Sequence, residues 1–488
     1  MNRPIESQLR QLPHLGRDGD RLTMDGVDLV ELAEREGTAL FVFSERRLRD
    51  NASRFLAAAR AGHPRAVVCY ASKACSNVHV LRILHSEGLA IEVNSGGEIY
   101  KAQVAGFLPA EMVFNGVAKS AEELAVAIDL DIKAINVDSV FELRRIGDVA
   151  RARKRRAAVS LRLVPGVAGG ATPGIQTGSE SSKFGMNAAE LEEALGVVEG
   201  AGAAIEVVGL HVHIGSQVAE LEAYRQAVAF AAGQVRRLAA RLGRPLAHVN
   251  LGGGYPIPYV HGQAGRNEID HFGAPMAAAA MVQEVATRAA AEIGGATEIL
   301  FEPGRAIVGD AAVLLSRVES EKRRGSERWL YLDAGYNLLL DTAAVRWHYH
   351  MVTANRMNEA TSAAFRVMGP LCDSADCFFD VEGEHLLERL LQRLPQLDET
   401  AQEELRAEVV RLPATRALPE ATGPGDLVAL LDVGAYSLEE MFQYCGRARA
   451  AAVVIRADGS VGRLRRRDRP EDLTEAELED AQPVNHRA

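Results

Sequence analysis

Eight short apolar runs alternate with longer helical stretches over the first two-thirds of the chain, and this alternation is the feature that most constrains the fold. The runs are Ala66–Tyr70, Leu89–Val93, Met112–Asn115, Lys133–Val137, Val159–Val164, Val207–His213, His248–Leu251 and Glu298–Phe301. The stretches between them carry apolar residues every three or four positions, which is typical of amphipathic helices. Eight strand–helix repeats over about 250 residues match a (β/α)8 barrel. We therefore predict an α/β fold with a TIM-type barrel over residues 38–305, with an open doubly wound sheet as the alternative.

The pattern changes after Gly304. The segments WLYLDAG, AFRVMG, DLVALLDVG and AAAVVIRADGSVGRL are β-type runs separated by loops. They predict a mostly β domain over residues 306–488, which the N-terminal segment 1–37 is expected to join. Within it, the charged, amphipathic stretch 381–420 is interpreted as a surface insertion of two helices broken at Pro395.

Composition excludes several classes of protein. The chain has 488 residues and a formal net charge of −11 without a dense basic stripe, which argues against nucleic-acid binding. No window approaches the roughly 18 apolar residues of a membrane span, and the first residues lack the apolar core of a secretion signal. The cysteines show neither a disulfide framework nor CxxC spacing; they are Cys69, Cys75, Cys372, Cys377 and Cys445. We therefore expect a cytoplasmic protein with no metal, membrane or nucleic-acid partner.

Polar clusters follow the ends of the predicted strands, which is where barrel enzymes carry their reactive groups. Lys73 comes directly after the first run, and the amine of a desolvated lysine can form a Schiff base with an aldehyde. His213 ends the sixth run and is followed by Gly215 and Ser216. A flat ring beside a closely approaching backbone suits a stacked aromatic ligand that bears an anion.

The last two strands are followed by LGGGYP and FEPGR. Loops after the seventh and eighth strands are the usual phosphate site of these barrels, and the backbone N–H groups of Gly252, Gly253 and Gly254 can converge on a phosphate. In FEPGR, Arg305 beyond Gly304 can add a guanidinium to that phosphate. Glu302 is predicted to be a buried carboxylate, which requires a cationic partner.

Together these groups match one cofactor, pyridoxal 5′-phosphate (PLP). The lysine takes its aldehyde, the glycines and Arg305 its phosphate, and Glu302 its protonated pyridine nitrogen. A protonated ring nitrogen makes the ring an electron sink for a carbanion. The combination predicts PLP far more strongly than any single motif.

With these residues placed, the chain resembles the alanine-racemase-like, fold-type III PLP decarboxylases, and among them the diaminopimelate decarboxylase family most closely, with ornithine and arginine decarboxylases as relatives. The segments that carry the resemblance, in family order, are YASKACSN, EVNSGGE, FNGVAKS, SSKFG, GLHVHIGSQ, NLGGGYP, FEPGR, GPLCDSAD and DVGAY. They extend from about residue 40 to 450 and so cover most of the chain.

The resemblance implies a role for each matching residue. Lys73 is similar to the lysine that binds PLP covalently, and His213 is similar to the ring-stacking histidine. Glu302 resembles the partner of the pyridine nitrogen, and Tyr436 resembles the tyrosine that closes over the phosphate. The residues that resemble phosphate ligands are Ser216, Gly254 and Arg305. Cys372 resembles the residue that returns a proton to Cα after CO2 leaves. In the family that cysteine comes from a second subunit, which implies a homodimer with shared active sites.

Three positions depart from diaminopimelate decarboxylases. Asp373 follows the cysteine where those enzymes usually have Glu, and Asp341 occupies the position of an arginine that grips the distal carboxylate. Arg346 is displaced by several residues. As candidate substrate-binding residues they predict a substrate whose far end is cationic or amide-bearing, while diaminopimelate and carboxylated intermediates of specialised pathways stay open.

The preferred interpretation is a PLP-dependent decarboxylase that acts on an amino acid. Two alternatives are an amino-acid racemase of the same fold type and a non-catalytic PLP-binding protein. A racemase needs a second base facing the lysine, and PLP-carrier proteins lack a β domain. The motif GPLCD and the long C-terminal region favour decarboxylation.

Overall fold

The computed structural model describes residues 9, 12–167, 182–261 and 272–478. The chain forms two compact units. The barrel unit comprises Glu45–Ala311 and Asp432–Glu439, and the β unit comprises Met1–Ser44, Ala312–Leu431 and Glu440–Ala488. Both units are therefore discontinuous in sequence.

The strands are numbered here in chain order. They are β1 (Leu15–Asp18), β2 (Arg21–Met24), β3 (Val27–Asp28), β4 (Leu40–Ser44), β5 (Ala66–Ala71), β6 (Ala90–Val93), β7 (Met112–Phe114), β8 (Ala134–Val137), β9 (Ala157–Arg162), β10 (Ile205–His211), β11 (His248–Asn250), β12 (Glu298–Phe301), β13 (Ala312–Arg324), β14 (Glu327–Leu332), β15 (Met351–Thr353), β16 (Ala363–Met368), β17 (Arg416–Leu418), β18 (Leu427–Leu431), β19 (Ala451–Ile455) and β20 (Val461–Arg465).

The α-helices belong to both units. They are Leu29–Glu36, Glu45–Gly62, Val78–Ser86, Gly96–Ala105, Ala121–Leu130, Val140–Arg153, Ala188–Ala201, Leu221–Leu242, Ala278–Glu292, Arg305–Val308, Asp341–Ala344, Val381–Arg393, Glu399–Val409 and Glu475–Leu478. In the described part of the chain, none of them is long and apolar enough to cross a bilayer.

Strands β5 to β12 form a closed barrel in which every neighbouring pair is parallel. The barrel closes where β12 pairs with β5 through Ile299 and Ala66. The predicted TIM-type barrel with a mostly β second domain is confirmed, and an open doubly wound sheet is excluded.

Serines at the ends of short loops begin three of the barrel helices. The side chains of Ser95, Ser120 and Ser139 each accept a hydrogen bond from a backbone N–H in the first turn of the helix that follows. Such caps satisfy backbone donors that the helix itself leaves unpaired. They fix the point at which the chain turns away from the C-terminal ends of β6, β7 and β8.

The inner face of the barrel has an apolar layer below a polar one. Cys69, Ala90, Val113 and Leu300 form a fully packed apolar cluster on four strands. Side chains two residues apart in a strand share a face, so the next inward positions on β6 and beyond β7 and β12 are polar: Glu92, Asn115 and Glu302. The polar layer therefore lies at the C-terminal ends of the strands.

The β unit is built around the long strand β13. It pairs antiparallel with β14, β18 and β4, and β4 in turn lies parallel to β19. Every residue of β4 is buried. Because β4 pairs only within this sheet, Leu40–Ser44 belongs to the β unit, although the sequence assigned residues from 38 onward to the barrel. The short segment Asp432–Glu439, predicted within the β domain, belongs to the barrel unit.

The stretch 381–420 contains two helices, Val381–Arg393 and Glu399–Val409, with Pro395 between them. Asp380 and Asp398 cap their first turns by accepting backbone N–H groups. The second helix has no buried residue, which is expected of a helix on the surface of its unit.

Candidate active site

A cavity lies at the C-terminal end of the barrel strands. Its lining residues all belong to the barrel unit; they are Ala71, Lys73, His213, Gly215, Ser216, Gly254, Tyr255, Glu302, Gly304, Arg305 and Tyr436. Most of the predicted cofactor-binding residues therefore meet at one place.

Lys73 lies in a single 3-10 turn directly after β5. Its Nζ is 3.9 Å from Oε1 of Glu92, and the Lys73 side chain is 46 % exposed. The sequence predicted a desolvated amine, but the nearby carboxylate of Glu92 raises the pKa of Lys73 instead. In this state the lysine is an ammonium that must lose a proton before its nitrogen can attack an aldehyde.

Two buried carboxylates, Glu92 and Glu302, share one amide donor. Nδ2 of Asn115 donates to Oε1 of Glu92 at 2.7 Å and to Oε1 of Glu302 at 2.9 Å. Asn136 donates to Oδ1 of Asn115 at 2.7 Å, and Asn250 donates to Oε1 of Glu302 at 2.6 Å. Neutral amides thus hold both carboxylates in place without cancelling their charge.

The two carboxylates differ in their affinity for a proton. Burial raises the pKa of Glu92 above its ordinary value, although Lys73 acts against the shift. Burial acts in the same direction on Glu302, but His211, whose Nε2 lies 3.4 Å from Oε2, and the amide of Asn250 hold the pKa of Glu302 below its ordinary value. Glu302 is therefore the carboxylate that stays ionised, and Glu92 the one that accepts a proton more readily.

His213 presents an uncharged ring to the cavity. Burial, assisted by the positive charge of Lys73, lowers the pKa of His213 well below its ordinary value. Its Nδ1 accepts a hydrogen bond from the N–H of Gly253 at 3.1 Å. The proton of the neutral ring is consequently on Nε2.

Arg305 provides positive charge at the end of the cavity where the predicted phosphate ligands lie. It is 5 % exposed, and it donates to the hydroxyl of Tyr259 at 2.6 Å and to that of Ser216 at 3.5 Å. Its Cζ is 4.8 Å from the centre of the Tyr436 ring. Both of these hydroxyl partners are neutral, and they orient the guanidinium.

The three glycines after β11 have different roles. The N–H of Gly252 donates to Oδ1 of Asn250 at 2.9 Å, and the N–H of Gly253 donates to His213. Of the three, only Gly254 borders the cavity. Its φ is +96°, and a Cβ there would lie 2.5 Å from the carbonyl oxygen of Gly215. The prediction that all three amides converge on a phosphate is thus wrong for Gly252 and Gly253, whose amides hold a neighbouring amide and a ring instead.

Tyr436 reaches the cavity from the segment Asp432–Glu439. Its backbone N–H donates to the carbonyl of Ala74 at 2.8 Å. Further along, the carboxylate of Glu439 accepts from both the N–H and the hydroxyl of Ser76. The segment with Tyr436 is thus bonded to the loop that carries Lys73.

The donor set at this cavity fits PLP. An amine suits its aldehyde, a flat neutral ring suits stacking on the pyridine, an ionised buried carboxylate suits a protonated ring nitrogen, and a guanidinium with a hydroxyl suits a phosphate. The amine follows β5, the histidine and Ser216 follow β10, and the carboxylate and the guanidinium follow β12.

The remaining predicted residues lie in the β unit. Cys372 is exposed. Asp373 accepts from the hydroxyl of Tyr336 at 2.8 Å, and the N–H of Ala375 together with that hydroxyl lowers the pKa of Asp373. Asp341 begins the short helix Asp341–Ala344.

Arg346 has carboxylate partners of its own in the β unit. Its Nε is 3.1 Å from Oδ1 of Asp380, and its Nη2 is 2.6 Å from Oε2 of Glu382. The Asp380 side chain is 5 % exposed. The Arg346 guanidinium is thus already paired with two carboxylates.

Sequence reasoning missed the polar residues within the barrel strands: Glu92, Asn115, Asn136, His211 and Asn250. The signal was a polar residue near the end of a short buried run, in AIEV, MVFN, AINV, GLHV and HVN. A polar side chain that points into the barrel from a strand buried on both faces requires hydrogen-bond partners. These residues supply such partners to one another.

Comparison with known proteins supports the same assignment. Residues 48–309 match the family profile described as "Pyridoxal-dependent decarboxylase, pyridoxal binding domain". Diaminopimelate decarboxylase of Aquifex aeolicus is 30% identical over 466 residues, covering 95% of this chain and 97% of that protein. The enzyme of the same name from Methanothermobacter thermautotrophicus is 33% identical over 457 residues, covering 93% and 95%.

Solved structures give a similar result. The crystal structure of diaminopimelate decarboxylase from M. jannaschii has a TM-score of 0.79 at 28% identity and covers 96% of this chain and 98% of that one. The structure of that enzyme in complex with L-lysine has a TM-score of 0.78.

Proposed function

Because the chain belongs to the pyridoxal-dependent decarboxylases, we propose that its barrel cavity is where an amino acid loses its α-carboxylate, with Lys73 as the residue that binds the cofactor. The activity class and the cofactor, PLP, follow from the family, and the matches favour neither a racemase nor a non-catalytic protein. The observation that carries the assignment of the site is that Lys73, Glu302 and Arg305 line one cavity.

The residues in and around the cavity have different roles in the reaction. When bound, PLP supplies the electron sink for the bond between Cα and the departing carboxylate. Lys73 gives up its proton so that its amine becomes a nucleophile, and Glu92 is the nearest base. Glu302, kept ionised, would hold the ring nitrogen of PLP in its protonated form. The neutral imidazole of His213 would bind the ring without adding charge.

Cys372 is assigned the last proton transfer. The resemblance gives it this role, in which the thiol protonates Cα after CO2 has left. Thiols act as general acids of this kind when they are held within hydrogen-bond reach of the acceptor atom. The same resemblance supports a homodimer in which each cysteine serves the partner's site, and composition supports a cytoplasmic location.

For the substrate, we propose an amino acid whose far end is cationic or amide-bearing. Two features support this choice: Asp341 replaces the family's distal arginine, and Arg346, the nearest substitute in sequence, is already paired with Asp380 and Glu382. The relatives named diaminopimelate decarboxylase are the reason to keep meso-diaminopimelate as the principal competitor.

The test is CO2 release from a panel of substrates. PLP-loaded enzyme is incubated with lysine, ornithine, arginine, meso-diaminopimelate and amide-bearing diamino acids, each labelled in the α-carboxylate. We expect CO2 release from at least one of these substrates. Substrate molecules that keep their α-carboxylate should show no exchange of the Cα hydrogen. Cα hydrogen exchange without any CO2 would identify a racemase and contradict the proposal.

A further inference from the structure

The loop that carries Cys372 is organised by a residue other than the cysteine. It follows β16 and runs through GPLCDSAD. Cys372 is exposed, so packing of its own side chain does not fix the loop. Four residues later Asp376 is 1 % exposed, and burying a carboxylate to that extent requires hydrogen bonds that compensate for lost water.

The carboxylate of Asp376 joins two segments of the β unit. Oδ2 accepts the backbone N–H of Leu371, the residue before Cys372, at 2.7 Å. Oδ1 accepts the backbone N–H of Tyr336 at 2.8 Å. The carbonyl of Asp376 also accepts the N–H of Gly369 at 2.9 Å, which closes the loop at its base.

Two glycines leave the space that this carboxylate occupies. A Cβ on Gly369 would lie 2.2 Å from Oδ2, and a Cβ on Gly335 would lie 2.4 Å from Oδ1. The Asp376 side chain therefore fills the space between the DAGY segment and the GPLC segment, and the hydrogen bond from Tyr336 to Asp373 is a second link between them. Each segment thus has a glycine where a larger residue would displace the Asp376 carboxylate.

The interaction depends on an ionised acceptor. Two N–H donors need two acceptor oxygens, and either protonation or an amide would turn one of them into a donor facing a donor. Burial raises the pKa of Asp376 to about 6, against the two N–H groups of Leu371 and Tyr336. Of the charged groups around it, Asp373 adds to this shift and Arg447 opposes it.

We propose that Asp376 is a positioning residue for the reaction: its buried carboxylate fixes the backbone before Cys372 and so sets the orientation of the thiol that protonates Cα. The inference rests on the proposed role of Cys372.

A double-mutant cycle tests this directly. If Asp376 acts through Cys372, Asp376→Asn lowers kcat by about tenfold or more in the wild-type background and by less than about twofold in a Cys372→Ala background, with KM little changed in either. Asp398→Asn is the matched control, because Asp398 is an exposed helix cap that also accepts a backbone N–H. The control is expected to leave kcat unchanged.

The outcomes are distinguishable. An equal loss in both backgrounds means that Asp376 serves stability alone, which overturns the inference. If Cys372→Ala by itself leaves kcat unchanged, the assignment of Cys372 fails before the cycle is needed, while decarboxylation by the barrel site stands.

A second measurement uses the unmutated protein and so does not depend on how the variants fold. Alkylation of Cys372 by iodoacetamide is followed by peptide mass spectrometry, with Cys445, which is also exposed, as the internal reference. Between about pH 7.5 and pH 5, protonation of Asp376 frees the N–H of Leu371 and with it the loop that carries Cys372, so the rate at Cys372 should change relative to the rate at Cys445. A change of about threefold in the ratio of the two rates is expected, and a constant ratio contradicts the inference.

Discussion

At the scale of residues, the barrel cavity depends on carboxylates that lie side by side and behave differently. Glu92 and Glu302 are both buried and share the amide of Asn115. Their neighbours give the two carboxylates different pKa values. Glu92 lies near the Lys73 ammonium, whereas Glu302 lies beside His211 and accepts hydrogen bonds from two further amides. This arrangement provides one base for the lysine and one permanent anion for a ring nitrogen.

The first prediction concerns the proton on Lys73. Glu92 is the largest cause of the raised pKa of Lys73, and burial acts in the opposite direction. Glu92→Gln should therefore lower that pKa, so that the apoenzyme reacts with PLP rapidly at lower pH than the wild type does. The measurement is the pH dependence of the rate at which the visible absorbance of the protein-bound cofactor appears.

A suitable control is Glu206→Gln, which removes a carboxylate paired with Arg156 and Arg244. The control should leave the pH profile in place. An unchanged profile in Glu92→Gln would show that Glu92 does not govern the charge of Lys73.

The second prediction concerns the far end of the substrate. A carboxylate at Asp341 favours a distal ammonium, and loss of one partner of a desolvated charge pair costs about 2 to 5 kcal/mol. Asp341→Arg should then reduce kcat/KM for a diamino substrate and raise it for meso-diaminopimelate. Efficient turnover of meso-diaminopimelate by the wild type, unaltered in Asp341→Ala, would refute the charge argument.

The residues found from the sequence were those in loops beyond strand ends. Lys73, Glu302 and Arg305 are recognisable there because polar groups follow apolar runs. Asn115 and Asn250 were missed because their function depends on partners from other strands, which only the closed barrel brings within hydrogen-bond distance. The protonation state of Lys73 was misjudged for the same reason, since Glu92 comes from a neighbouring strand.

At the scale of elements, the turn after β11 shows why its glycines cannot carry side chains. A Cβ on Gly253 would lie 2.1 Å from the carbonyl oxygen of Glu302. The turns that follow β11 and β12 therefore touch through backbone atoms, and this contact keeps Asn250 bonded to Glu302.

The third prediction follows from that contact. Gly253→Ala should lower the free energy of unfolding by about 1 to 3 kcal/mol and weaken PLP binding, because the two turns must separate. Gly233→Ala is the control: Gly233 lies in the helix Leu221–Leu242, with no heavy atom within 4 Å of the added Cβ, so stability should rise by about 0.5 to 1 kcal/mol. Urea unfolding and cofactor titration measure both effects, and equal stability of the two variants would contradict the account.

Strand β4 marks the limit of element prediction. Its run LFVF is apolar throughout, and it falls within the bounds predicted for the barrel, residues 38–305. Its partners are β13 and β19, which are distant in sequence. Alternation and burial are visible in a sequence, whereas the choice between two sheets depends on pairing that local pattern does not encode.

At the scale of the whole molecule, Lys73 belongs to the barrel unit and Cys372 to the β unit. Under the role proposed for Cys372, the thiol that serves one site comes from the partner subunit of a homodimer. Closed two-fold symmetry would then create two equivalent sites in each dimer.

The fourth prediction is complementation between two impaired variants. Lys73→Ala should lose decarboxylation and Cys372→Ala should lower kcat, and mixing them should restore part of the lost rate, because some hybrid dimers contain one intact site. Subunit exchange is verified independently by mass spectrometry of tagged chains. Exchange without recovery of activity would argue that each chain uses its own cysteine.

The central claim is that the barrel binds PLP through Lys73, and borohydride trapping followed by peptide mapping tests it most directly. In the PLP-loaded wild type, reduction should leave the phosphopyridoxyl mass on the peptide that contains Lys73, and Lys73→Ala should lose this covalent link together with all CO2 release. A reduced adduct on another specific lysine, or CO2 release that persists in Lys73→Ala, would contradict the claim.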